Sequence, residues 1–107
     1  NRGIAKSDLK DYYGAIADYT KAVEINPDYA DAYYNRGVAK ADLKDYYGAI
    51  ADYSKAIELE PDYTTAYNNR GIAKYYLKDI KGSCADMRKA ISLGFTDNVD
   101  AVKENCN

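Results

Sequence analysis

The chain is predicted to fold as an all-α array of stacked helix pairs. Three observations carry that expectation. The triplet Asn-Arg-Gly occurs at Asn1-Arg2-Gly3, Asn35-Arg36-Gly37 and Asn69-Arg70-Gly71, each 34 residues after the last. A fixed period of that length marks a stacked repeat. Within each period, small and apolar residues recur at spacings of three and four, which is helical periodicity. No stretch alternates with period two over a useful length, so no sheet is expected.

The repetition goes well beyond the triplet. Residues 1–29 and 35–63 differ at only six positions: Ile4/Val38, Ser7/Ala41, Thr20/Ser54, Val23/Ile57, Ile25/Leu59 and Asn26/Glu60. Five of these six exchanges keep size or polarity, so the two copies are expected to share one backbone. A third copy, over 64–97, has drifted further but keeps the frame. The 107 residues therefore divide, within one domain, into a partial repeat (1–29), a full repeat (30–63), a diverged repeat (64–97) and a closing helix (98–107).

In the full repeat, Ala32, Tyr33, Arg36, Gly37, Ala39, Lys40 and Leu43 place a first helix over 30–43. Pro61 ends the helix before it, because proline disfavours helical geometry at the preceding residue. Asp62 is then expected to cap the next helix with its carboxylate. The same logic applies at Pro27-Asp28-Tyr29. Ala49, Ile50, Tyr53, Ala56, Ile57 and Glu60 place a second helix over 46–60, with Lys44-Asp45 as the turn and Asp45 as the N-cap. Asp11 and Asp79 hold the equivalent place in the other copies. Each unit is thus an αα-hairpin. Gly37, Ala49 and Ala56 sit where the two helices approach closely. Gly3, Ala15 and Ala22 repeat the arrangement, as do Gly71, Ser83 and Ala90. Tyr33 and Tyr67 anchor the first helices, while Tyr19, Tyr53 and Met87 fill the gap from the second.

Composition narrows the function. Fifteen basic and 17 acidic side chains leave a net charge of −2, and no basic stripe is present to hold nucleic acid. No apolar run approaches the roughly 18 residues of a membrane span, so no membrane partner is expected. The chain has no His, which removes the commonest general base and transition-metal ligand. No phosphate loop, nucleophile motif or metal spacing appears. No enzyme activity, cofactor or metal is therefore expected. The chain opens within a repeat, without an initiator Met or a visible signal peptide. It is read as part of something longer, near the minimum of about three repeats needed for stability.

Tyr33, Gly37, Ala49, Tyr53, Ala56 and Pro61 resemble the pattern of the tetratricopeptide repeat. That resemblance implies a right-handed α-solenoid of antiparallel helix pairs, closed by a capping helix. Two departures stand out. The family carries Leu where this chain has Arg2, Arg36 and Arg70, and Tyr where it has Lys6, Lys40 and Lys74. The third copy also replaces the proline by Phe95, with Gly94 as the expected left-handed C-cap.

The recurrent Arg needs a partner if its head is buried. Asp18, Asp52 and Asp86 recur 16 residues later on the second helix. Arg2–Asp18, Arg36–Asp52 and Arg70–Asp86 are therefore expected to meet between the helices of each hairpin. The closing helix, with Val99, Val102 and Cys106 at helical spacing, should run antiparallel to a helix over 81–93. Cys84 and Cys106 lie at equal distances from the intervening turn, which places them at similar height. A disulfide between them is geometrically conceivable. The expectation adopted is two neighbouring unbonded thiols packed as hydrophobes.

The resemblance also implies that the first helices line a concave groove. Its residues are then Asp31, Tyr34, Asn35, Val38, Ala41 and Asp42 in the full repeat. Thr65, Asn68, Asn69, Ile72, Tyr75 and Tyr76 follow in the next, and Asn1, Ile4, Ser7 and Asp8 remain in the partial copy. Asn1, Asn35 and Asn69 would form a row of amides able to read an extended peptide backbone. Chaperone-binding members of the family clamp a C-terminal carboxylate with Lys and Arg. The corresponding places here are Ile4, Asn35, Thr65 and Asn69, and only Asn35 fits. The expected partner is a protein or peptide with basic, aromatic or apolar side chains. Tyr12-Tyr13 and Tyr46-Tyr47 fall at the inter-helix turn and are read as packing against the neighbouring repeat. A different class of function is also open: a homo-oligomer stacked head to tail through the uncovered apolar face of residues 12–26.

Overall fold

The computed structural model describes residues 8–96 and 99–106. Six helices follow in order: α1 (Asp8–Ile25), α2 (Ala30–Asp42), α3 (Tyr46–Leu59), α4 (Thr64–Tyr76), α5 (Ile80–Ser92) and α6 (Val99–Asn105). No strand occurs among the described residues. The most extensive packing is α2 on α3 and α4 on α5. Thinner contacts join α1 to α2, α3 to α4 and α2 to α4, and among the described residues α6 packs chiefly on α5. Helix pairs stacked in this way, each touching its neighbours, make an α-solenoid.

One turn closes α2, α4 and α5. The Asp45 N–H reaches the Lys40 carbonyl (2.8 Å) and the Lys44 N–H reaches that of Ala41 (2.9 Å). Asp79 and Lys78, then Phe95 and Gly94, repeat the pattern after α4 and α5. This is the paired 6→1 and 5→2 arrangement of a Schellman motif, which requires a left-handed residue. Gly94 supplies it at φ 109°, but Lys44 and Lys78 adopt φ 67° and 68°. Packing of the completed hairpin holds these two lysines in a conformation that L-residues avoid. Asp45 and Asp79 then cap α3 and α5, accepting from the Gly48 and Gly82 N–H groups at 3.0 Å.

Two capping expectations are corrected. Tyr29 and Tyr63, not Asp28 and Asp62, occupy the N-caps of α2 and α4, with no side-chain cap bond. The Tyr63 N–H closes a tight turn onto the Glu60 carbonyl (3.0 Å). That turn leaves Asp62 one residue upstream of the position from which a side chain folds back onto the first amides. Asp11 is not a cap either, because α1 runs unbroken through it.

The core is built from small side chains around one large one. Ala49, Ala56, Ala66 and Ala90 are fully buried, and Tyr53 is 2 % exposed. A Cβ on Gly37 would stand 2.8 Å from the Tyr53 ring and 3.2 Å from the Ala49 carbonyl oxygen. A Cβ on Gly71 would stand 3.0 Å from both Met87 Cγ and the Ser83 carbonyl oxygen. Glycine at these two positions is what lets the helices of each pair approach.

The recurrent charges sit inside the hairpins. Arg36 donates through Nε to Asp52 Oδ2 (2.8 Å) and through Nη2 to Oδ1 (2.7 Å). Lys40 Nζ lies 3.2 Å from the same Oδ2. Arg70 and Lys74 hold Asp86 in the same way, with Arg70 at 2.8 Å on each oxygen and Lys74 at 3.0 Å. The guanidinium groups also lie over the Tyr33 and Tyr67 rings, at 5.6 and 5.5 Å. Hydrogen bonding to the carboxylate raises both arginines above their usual range, against the opposing cost of burial. The two departures from the family pattern thus converge on a single buried carboxylate in each hairpin. Arg2 lies outside the described residues, and Asp18 is exposed.

A further contact has no counterpart in the sequence reading. Arg36 Nη1 donates to Thr20 Oγ1 (3.2 Å), and Arg70 Nη1 to Ser54 Oγ (3.1 Å). Each arginine therefore ties its own hairpin to the one before. The signal was present: Thr20/Ser54 is one of the six exchanges, and it preserves the hydroxyl. The third copy has Arg88 there, which donates to the Cys106 carbonyl oxygen and secures the closing helix instead.

Cys84 and Cys106 form a disulfide with Cα atoms 5.6 Å apart, which corrects the expectation of unbonded thiols. Packing of α6 on α5 is thin. Val102, 8 % exposed, is its buried apolar anchor, and the covalent link supplies what so short a helix lacks in contact area.

Candidate functional site

The first helices of the two complete hairpins, α2 and α4, lie side by side, and a cleft of about 350 Å³ opens between them. Val38, Ala41 and Asp42 of α2 form one side. Asn69, Ile72, Ala73 and Tyr76 of α4 form the other. Tyr46 and Tyr53 of α3 and Lys44 of the turn complete it. The Tyr46 and Tyr76 rings stack at 5.0 Å with an interplanar angle of 14°, and Tyr75 meets Tyr76 edge-on at 6.2 Å. Tyr46 does pack on the next repeat, whereas its neighbour Tyr47 is 75 % exposed.

A tyrosine network adjoins the cleft. Tyr34 stacks on Tyr63 at 5.0 Å and tilts toward Tyr53 at 5.7 Å. The Asn69 Nδ2 group donates to the Tyr34 hydroxyl (2.8 Å), and the Tyr63 hydroxyl donates to Asp31 Oδ1 (2.6 Å). Burial pushes the Tyr53 and Tyr63 hydroxyls well above the usual phenol range. The neighbouring Tyr34 and Asp42 add to this at Tyr53, and the bond to Asp31 adds to it at Tyr63. Partial burial likewise holds the Asp42 carboxyl above the usual carboxylate range. No hydrogen bond or ion pair engages Asp42 among the described residues.

The residues expected on the groove take several different places. Val38, Ala41, Asp42, Asn69, Ile72 and Tyr76 meet in the cleft. Asp31 and Tyr34 belong to the adjoining network, while Thr65 and Tyr75 are exposed on α4. Asn68 is buried at 8 % exposure. Asn1 lies outside the described residues, as do Ile4 and Ser7. The asparagine row is therefore not uniform, since Asn69 spends its amide on Tyr34 while Asn35 is half-buried. Sequence reasoning missed Lys44, Tyr46, Tyr53 and Tyr63 as parts of this surface. They lie on second helices or in turns, and reach it only through stacking of one hairpin on the next. A second cleft, of about 230 Å³, lies beside the disulfide and is lined by Tyr75, Ile80, Met87 and Asn105 among others. The described residues hold no cluster able to bind a metal, and no described helix is long and apolar enough to cross a membrane.

Paired helices, a 34-residue period and a lined face on the first helices define a helical-repeat protein of the solenoid class. A tetratricopeptide repeat model matches residues 30–63, and a second model of the same repeat matches 6–44. The chain is a tetratricopeptide repeat protein. No curated protein sequence matches it. Among solved structures, it is similar to the first such domain of Spaghetti (RPAP3) bound to the HSP90 peptide SRMEEVD. The TM-score is 0.83 at 26 % identity, covering 90 % of this chain and 78 % of that one. The tetratricopeptide domain of Arabidopsis OM64 is similar at TM-score 0.83 and 29 % identity, covering 89 % and 79 %. The yeast Sti1 TPR2B domain in its Hsp70 complex is similar at 0.79 and 26 %, covering 90 % and 80 %. The fold is generally a non-catalytic, protein-interaction fold, and the chain is a protein-interaction scaffold.

Proposed function

We propose that the chain holds an extended peptide, or a partner helix, along the face formed by α2 and α4. In this reading its role is binding rather than catalysis, and the partner is basic, aromatic or apolar. One observation carries the choice of partner. Every Arg and Lys on α2 and α4 is already spent: Arg36 and Lys40 on Asp52, Arg70 and Lys74 on Asp86. No cation remains on those helices to clamp an acidic peptide of the SRMEEVD kind. Asp31 and Asp42 lie on the same face, and like charge there opposes an acidic ligand. Tyrosine supplies large contact area at small entropic cost.

Selection of random peptides by display on the folded protein tests this. Enrichment of sequences with Lys, Arg or aromatic residues is expected, with no measurable binding of SRMEEVD. Asn35→Ala combined with Asn69→Ala should abolish retention of the selected peptides while the helical circular dichroism persists. Tight binding of SRMEEVD would reject the reading.

A second reading, head-to-tail association of copies, is favoured by one observation: Ile25 at the end of α1 is 81 % exposed. Light scattering across a dilution series separates the two. A groove binder keeps a constant mass, whereas an assembling module loses mass on dilution and is blocked by Ile16→Lys.

A further inference from the structure

Resting on that groove reading, we infer that the cleft between α2 and α4 is a receptor pocket for one arginine side chain of the bound peptide. Asp42 is the last residue of α2, at the negative end of the helix dipole, where a carboxylate is disfavoured. It has no ion-pair or hydrogen-bond partner among the described residues, although four cations lie on the same two helices. Those four converge on Asp52 and Asp86 instead. Lys44 lines the cleft but does not approach Asp42 to ion-pair distance. A charge left against local preference and without compensation is where a binding function is expected.

The rest of the cleft fits the remainder of an arginine. Val38, Ala41 and Ile72 give apolar sides for a three-carbon stem. Tyr46 and Tyr76, stacked on each other, give the cleft an aromatic wall. A guanidinium stacks on such a wall and bonds a carboxylate through a planar fork, whereas an ammonium presents a compact, strongly hydrated point charge. The volume, about 350 Å³, lies within the range of specific ligand sites. The sequence period makes this combination particular to one junction. One repeat earlier, the place of Tyr76 is taken by Asp42 itself. The same period therefore does not pair the carboxylate with an aromatic wall at the preceding junction.

Titration of the isotopically labelled protein with N-acetyl-arginine amide, followed by NMR, tests the pocket. Shifts concentrated on Val38, Ala41, Asn69 and Ala73 are expected. N-acetyl-lysine amide should give weaker shifts and N-acetyl-norleucine amide none. Asp42→Asn should weaken the arginine probe roughly five-fold, the size of a half-exposed ion pair. Its thermal midpoint should be unchanged or higher, since a dipole-opposed charge is removed. Lys44→Ala should leave the probe's affinity unchanged or raise it. Equal shifts from norleucine, an unaffected Asp42→Asn, or loss of binding in Lys44→Ala would each overturn the pocket. Probe shifts at the cleft in a protein that retains no display peptide would leave the pocket standing and remove the extended groove. Display peptides that bind without arginine-dependent shifts would do the reverse.

Discussion

Hairpins α2–α3 and α4–α5 share a skeleton and differ in what they present. In both, an Arg and a Lys of the first helix hold one Asp of the second, and the Arg reaches back to a hydroxyl of the preceding copy. Both close on a left-handed lysine and a capping Asp. On the face lined by α2 and α4 the correspondence breaks down. Asp31 becomes Thr65, Tyr34 becomes Asn68, Ala41 becomes Tyr75 and Asp42 becomes Tyr76. The buried Tyr53 becomes Met87. The buried charges and caps that hold each hairpin are repeated, whereas on the α2–α4 face Asn35/Asn69 recur but most other positions do not. The proposed binding surface is therefore a property of the junction between unlike neighbours.

Perturbing the shared skeleton should have the largest effect. Asp52→Ala leaves Arg36 and Lys40 facing each other without their carboxylate, and should cost about 4 kcal/mol in urea denaturation. Asp86→Ala should cost a similar amount. A large inequality would show that the two hairpins are not energetically equivalent.

The next test exploits a difference. Tyr53 is buried in the first of these hairpins and Met87 takes its place in the second. Because the folded hydroxyl titrates above its unfolded value, its stabilising contribution is complete below about pH 10. It is lost as pH rises toward the folded value, at about 1.4 kcal/mol per pH unit for one group. Tyr63, also raised, acts in the same direction. Hydrogen exchange should therefore accelerate in α3 before α5 as pH is raised. Simultaneous acceleration would mean that the array unfolds as one unit.

Smaller effects separate the two glycines. Gly37→Ala meets a rigid, buried ring and should cost about 2 kcal/mol. Gly71→Ala meets a flexible Met87 together with the Ser83 carbonyl, and should cost less in the same assay. The smallest effect is a gain. Lys44→Gly and Lys78→Gly relieve a left-handed conformation, offset by the entropy glycine adds to the unfolded chain. Each should raise stability by about 0.5 kcal/mol, read as a higher thermal midpoint.

Much of this architecture was legible in advance because the period made it redundant. Asp45 and Asp79 sit where a cap must sit once two helices are joined by a short turn. Gly37 and Gly71 sit where side chains would collide. Expectations failed where a residue's role depends on a partner outside its own segment. Asp11 has the sequence context of a cap and lies inside a helix. Asp62 has the chemistry of a cap, one residue too early. Cys84 and Cys106 are sequence-equivalent to a free pair and to a bonded one, and only the seating of α6 on α5 joins them. Of the proposed binding face, the α2 and α4 residues were reached through the family resemblance. Tyr46, Tyr53 and Tyr63 were not, because they arrive from other elements.

By itself the sequence determined the helical period, the pairing of helices and which residues recur. A 34-residue repeat with spacings of three and four admits few other arrangements. Tertiary structure alone decided that the two lysines are consumed as well and that Asp42 is not. The pairing of Arg36 with Asp52 and of Arg70 with Asp86 was expected from their recurrence, but Lys40 and Lys74 look as available in sequence as any surface cation, and packing delivers them to the same two carboxylates. Asp42 is left without a cation. That distinction depends on distances of a few ångströms between separate helices, which no local pattern of residues encodes.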